Sequence, residues 1–115
     1  VTKPSKYRNC PVVVDGIRFA SSAEAGRYRV LKMLQQSGQI SDLQCQFPFY
    51  LAPAVLIRGA KRKTPALRYA ADFVYRDKNG VQVVEDVKGA PLTQAYRIKR
   101  HLLAVQGIHI TEIRT

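Results

Sequence analysis

The chain has 115 residues, 46% of them hydrophobic, a formal net charge of +11 and a pI near 10.1. That length admits one domain over 1–115 with a modest core, and the apolar content excludes a disordered chain. The charge points to a polyanionic partner, most simply nucleic acid, with a solvated basic surface as the plain alternative, and no run approaches the ~18 apolar residues of a membrane span. Cys10 and Cys45 stand far apart and do not make a secreted disulfide scaffold, and with His101 and His109 they lack zinc-ligand spacing. No signal peptide is legible, so the expected compartment is the cytoplasm of a bacterium or of an infected host.

Residues 1–11 form a basic arm in which Lys3, Lys6 and Arg8 are placed to touch phosphates, against the plainer reading of a frayed terminus. Val12 to Phe19 predicts two short strands about an Asp15-Gly16 turn, with Asp15 read as a turn residue. A helix is predicted from Ser22 to about Ser37, capped by Ser21 or Ser22 and ended by Gly38. Ser21 and Glu24 have capping-box spacing, worth roughly 1 kcal/mol through the cap. Glu24, Tyr28 and Leu31 also fall on one stripe that should face the sheet. A carboxylate at the head of that stripe has a second role open to it.

A strand rich in aromatic residues is predicted over Gln44–Leu51, followed by a long loop from Pro53 to Pro65. Arg58, Lys61, Arg62 and Lys63 make this loop the densest positive run, read as a DNA-contacting loop against a solvated charge run. Residues 67–76 and 81–88 predict a hairpin about Asp77-Lys78-Asn79-Gly80, with Gly80 where φ > 0 is wanted. A three-residue loop pairs Asp77 with Val81, so Val74 faces Val84 and Asp72 faces Asp86, with Lys88 on the same face. Two opposed carboxylates repel, and a divalent cation offsets that naturally. A two-residue loop would place Glu85 opposite Asp72 instead, making Glu85 the ligand; in the preferred register it is a surface or interface charge. A salt-bridged cluster with Lys88 and Arg68 is the structural alternative. A second helix is predicted from Thr93 to about Gln106, burying Ala95, Ile98, Leu102 and Val105 with Arg97, Arg100 and His101 opposite. Lys99 lies at the edge of that apolar face, and His109–Ile113 closes the chain as a strand.

Asp72 followed by Asp86-Val87-Lys88 resembles the PD-(D/E)XK nuclease signature, with Ala71 where the usual Pro stands before the first Asp. From its SKYRN start through EDVKG to the closing strand, the chain is similar to small phage and prophage members of that superfamily. Their layout is that of phage endonuclease-I-type Holliday junction resolvases. The resemblance implies an α/β fold with a restriction-endonuclease-like αβββαβ core, a mixed central sheet flanked by helices. It implies a Mg²⁺-dependent (or Mn²⁺-dependent) endodeoxyribonuclease with Glu24, Asp72, Asp86 and Lys88 as catalytic residues. Asp72, Asp86, the Val87 carbonyl and Glu24 would ligate metal. Lys6, Arg8, Arg58, Lys61, Arg62, Lys63, Arg97, Lys99 and Arg100 would meet DNA. Branched DNA is the implied partner and a homodimer the implied assembly, with no membrane and no small-molecule substrate. The reading from another class is a non-catalytic nucleic-acid-binding module on a nuclease fold.

Overall fold

A computed structural model describes residues 10–115; Lys3, Lys6 and Arg8 of the predicted basic arm lie outside them. The chain runs β1 (Val12–Val14), β2 (Ile17–Phe19), α1 (Ser22–Gln36), β3 (Ser41–Ala52), β4 (Leu67–Arg76), β5 (Gln82–Lys88), α2 (Gln94–Val105) and β6 (Ile110–Arg114). The fold is mixed α/β. After the first hairpin the order is αβββαβ, as predicted. β1 and β2 form their own two-stranded sheet, and the main sheet has the order β3-β4-β5-β6. Its first two pairings are antiparallel; the last is parallel, with α2 as the crossover that parallel strands require.

Local chemistry accounts for the boundaries. Asp15 and Gly16 both take positive φ, 53° and 77°, which makes the tight turn joining β1 to β2. Asp15 does more than turn the chain: its Oδ2 accepts from Tyr28 Oη at 2.9 Å and pairs with Lys32, tying the hairpin to α1. The Ser21 hydroxyl accepts from Glu24 N at 3.2 Å to cap α1, and Thr93 accepts from Tyr96 N at 3.1 Å to cap α2. In the β4–β5 turn, Gly80 N donates to Asp77 O and Asp77 N to Val81 O, both at 2.9 Å, with Gly80 at φ 77°. This is the three-residue loop, and the ladder follows its register: Val74 faces Val84 and Phe73 faces Glu85.

Two cores cover the two faces of the sheet. One, beneath α1 and the first hairpin, holds Phe19, Leu31, Phe73 and Tyr75; the other, beneath α2, holds Phe49, Tyr69, Val74, Val84 and Leu103. Simple alternation breaks once. Cys45 and Phe73 pack on the α1 side, yet Phe47 and Ala71, two residues along in each strand, pack on the α2 side. The inversion falls at Gln46, whose φ of 54° is left-handed, opposite Asp72 in the β3–β4 register. Beyond it the paired strands continue as an arm to Ala52 and Leu67.

Two packing expectations are corrected. Glu85 is 1% exposed, not a surface charge: Arg27 donates to it through Nε at 2.8 Å and Nη2 at 2.7 Å, and the Tyr75 hydroxyl donates as well. On α2 the buried residues are Tyr96 and Leu103, while Ile98 and Val105 are 53% and 74% exposed. The helix is turned by its polar ends. The Tyr96 hydroxyl and Arg100 both donate to Glu112 on β6, at 2.7 and 2.8 Å, and that ties the Tyr96 face to the sheet. Arg100 therefore lies on the packed side rather than opposite it.

Candidate functional site

Strand β4 parts from β5 at Asp72, and the carboxylates take up the backbone groups this leaves. Asp72 N donates to Asp86 Oδ1 at 3.1 Å, and Val87 N donates to Asp72 Oδ2 at 2.8 Å. Asp86 is 5% exposed, and its Oδ2 pairs with Lys88 Nζ at 2.5 Å. The same ammonium rests over the Tyr96 ring, 3.7 Å from its centroid, a cation–π contact that fixes it from the α2 side. Consecutive residues diverge here. Glu85 goes to the α1 side and Arg27, while Asp86 and Lys88 go to the α2 side.

Glu24 arrives from the first turn of α1. Burial pushes its carboxyl above the usual range, the Ala20 backbone N–H pulls it down, Asp86 raises it and Lys88 lowers it. Glu24 therefore gives its backbone N–H to the Ser21 cap while its carboxylate lies in the field of the Asp86–Lys88 pair. Asp72 is the most perturbed carboxyl. Burial is the main cause, partly offset by the Val87 N–H, and the charges of Asp86 and Glu24 add to it; together they lift it from 3.8 to about 7.

The sign of that shift gives a stability prediction. A carboxyl whose folded-state pKa is raised contributes stability that is fully present below its unfolded pKa and is lost as pH rises through about 7. Asn at position 72 keeps an oxygen for Val87 N and carries no charge. Asp72→Asn should match the wild type near pH 4 and exceed it near pH 8, by on the order of 2 kcal/mol after discounting for partial exposure. Urea denaturation of both proteins across that range reads the difference; parallel pH profiles would show that Asp72 is ionised at no cost.

Tyr69 and Tyr96 were not among the residues singled out in the sequence, yet both border the site. The Tyr69 hydroxyl is buried and has no hydrogen-bond partner among the described residues; burial first, and then nearby Asp86, raise its pKa. Its ring lies 6.0 Å from that of Tyr96. Tyr69 stands three residues before Asp72, a spacing that carries no signal in a strand unless the inversion at Gln46 is known.

The basic residues divide by place. Arg58, Lys61, Arg62 and Lys63 are exposed on the loop at the far end of the β3–β4 arm. Arg97 is exposed on α2, Lys99 is half-buried on the Tyr96 side, and Arg100 is held by Glu112. Arg68, suggested as a partner for the acids, makes no ion pair among the described residues.

Residues 4–114 match the family described as protein of unknown function DUF1064. The chain belongs to the DUF1064 family. No curated protein matches this DUF1064 chain, and no solved structure matches it. Among the described residues, no three His, Cys, Asp or Glu side chains of the DUF1064 chain stand together closely enough to hold an ion as placed; backbone N–H groups and Lys88 take the Asp72 and Asp86 oxygens. The donors are nonetheless of the kind a hard cation takes: carboxylate oxygens, with the charge of Asp86 adding to the raised pKa of both Glu24 and Asp72. No helix among the described residues is long and apolar enough to cross a membrane.

Proposed function

We propose that this protein is a metal-dependent DNA endonuclease of the PD-(D/E)XK kind, acting on branched DNA. The observation that carries the proposal is the Asp72–Asp86–Lys88 grouping at the point where β4 leaves β5. Opposed carboxylates facing a polyanion weaken a pure binder. They serve a hydrolase, which needs cation ligands beside a lysine. The fold is in keeping, since the αβββαβ order and mixed sheet are those the resemblance implies.

Asp72 and Asp86 would hold Mg²⁺ or Mn²⁺, with the Val87 carbonyl and Glu24 beside them. When bound, a divalent cation supplies Lewis acidity at the phosphate and lowers the pKa of a coordinated water. The chain's own residues do the rest. Lys88, a compact charge on a flexible stem steadied by Tyr96, places positive charge against the scissile phosphate and orients the attacking water. Glu24 holds a negative charge near that water and can take its proton, since burial raises its affinity for one. The basic surface keeps the substrate phosphates in reach and makes binding fall with salt.

The test is cleavage of labelled four-way junction, duplex and single-stranded DNA with Mg²⁺ or Mn²⁺, against EDTA. Metal-dependent cutting, fastest on the junction, is expected. The cation should also raise the melting temperature, more near pH 8 than near pH 5, because it relieves the repulsion at Asp72. Tight binding without cutting on every substrate, and no thermal shift, would leave a nucleic-acid-binding module instead.

A further inference from the structure

The loop at the end of the β3–β4 arm is more ordered in form than a solvated charge run requires. Val55 and Thr64 close its neck with two backbone bonds, N to O at 3.0 and 2.7 Å. Beyond the neck, Ala60 N donates to Ile57 O at 2.9 Å, and Gly59 at φ 87° permits the turn between them. Leu56 and Ile57, between the neck and this turn, are 55% and 54% exposed. Arg58, Lys61, Arg62 and Lys63 flank them, and none of the four has an acidic partner among the described residues.

Phosphate binding alone has no use for two large aliphatic side chains at a tip. A second copy of this chain is a poor occupant of this tip, since its cations would need acidic partners and Asp15, Glu85, Asp86 and Glu112 are already paired within the chain. Cations around a projecting apolar pair suit a nucleic acid whose phosphates meet the cations while the aliphatic groups enter between bases. We propose that Leu56 and Ile57 form a wedge that unstacks a base step, with the surrounding Arg and Lys side chains holding the flanking phosphates. The inference rests on the nucleic-acid reading above and adds to it a second point of engagement. The arm leaves the site at Gln46, opposite Asp72, and ends at Ala52 and Leu67. The strand part is six residues, about 20 Å, and Leu56 lies beyond it past the Val55–Thr64 neck, so the wedge stands more than roughly six base pairs of duplex from the site.

The experiment uses the full chain in EDTA, so that nothing is cut, with a four-way junction carrying 2-aminopurine at the branch point. Wild-type protein should raise the 2-aminopurine fluorescence several-fold at saturation. Leu56→Ser/Ile57→Ser should lose most of that rise while its affinity falls less than about fivefold. Arg62→Ala/Lys63→Ala should lower the slope of log affinity against log salt by about 2. All the substituted side chains are exposed, and matching melting temperatures confirm that the variants fold. Binding with no fluorescence change, or a rise the serine variant retains, overturns the wedge and leaves the nuclease reading standing. Preference for phosphatidylglycerol vesicles over DNA, lost in the serine variant, overturns it in favour of a lipid surface. No binding to any nucleic acid overturns both.

Discussion

Asp86→Asn is expected to lower metal-dependent cleavage by roughly 10³-fold, on the order of 4 kcal/mol of transition-state stabilisation, while binding and fold persist. The fold survives because Asn retains an oxygen to accept the Asp72 N–H that Asp86 Oδ1 now takes at 3.1 Å. The variant loses the Lys88 ion pair, but it also loses the carboxylate that repels Asp72 and Glu24. The two changes oppose each other, so stability should stay level or rise. A side chain whose removal stabilises the protein and abolishes turnover is there for chemistry. The decisive pair of measurements is single-turnover cleavage and urea denaturation on the same sample. Unchanged cleavage would remove Asp86 from the site. A large loss of stability with proportionate loss of activity would make it structural.

The second large effect falls on Glu85, the neighbour of Asp86 in sequence, on the other face of the sheet. Arg27→Met should destabilise the protein by about 3 kcal/mol, the low end for breaking a buried ion pair. Glu85 would be left with only the Tyr75 hydroxyl, in a place where its side chain is 2% exposed. The low end applies because Arg27 is itself 26% exposed, so water reaches part of the gap. Arg27→Met/Glu85→Leu should recover most of the loss, since two apolar side chains need no partner. Urea midpoints of the single and double variants read this directly. A loss below about 1 kcal/mol in the single variant would show that water replaces the guanidinium. The same pair ties α1, which carries Glu24, to β5, which carries Asp86, so cleavage should fall with stability in this series and not in the Asp86 series.

Much of this arrangement was legible in the chain because its chemistry is local. Asp77 to Gly80 announces its turn, the turn sets the register, and the register carries Asp72 and Asp86, fourteen residues apart, to the end of the ladder, where Asp86 takes the Asp72 N–H. The cap at Ser21 and the stop at Gly38 are equally local. What escaped depends on partners distant in sequence. Glu85 reads as a surface charge because Arg27, the residue that makes its burial tolerable, lies 58 positions away. The docked face of α2 is not legible from aliphatic periodicity, which ignores Tyr96 and Arg100, whose apolar stems pack while their tips reach Glu112. The inversion at Gln46 had no marker at all, since a non-glycine residue with positive φ looks like any other glutamine.

Hairpin tips are ordinarily where a lineage can add or drop residues without harm. The β4–β5 turn has lost that freedom. Glu85 and Asp86 are neighbours with unrelated duties, one neutralised by Arg27 and one facing Lys88. Shortening the turn by a single residue would exchange their faces, sending the charge that must stay paired toward the site and the site's carboxylate into the core. Selection on this segment should therefore act on its length more strictly than on its letters. Lys78 and Asn79 are open to replacement, and the count of residues between Asp77 and Val81 is not.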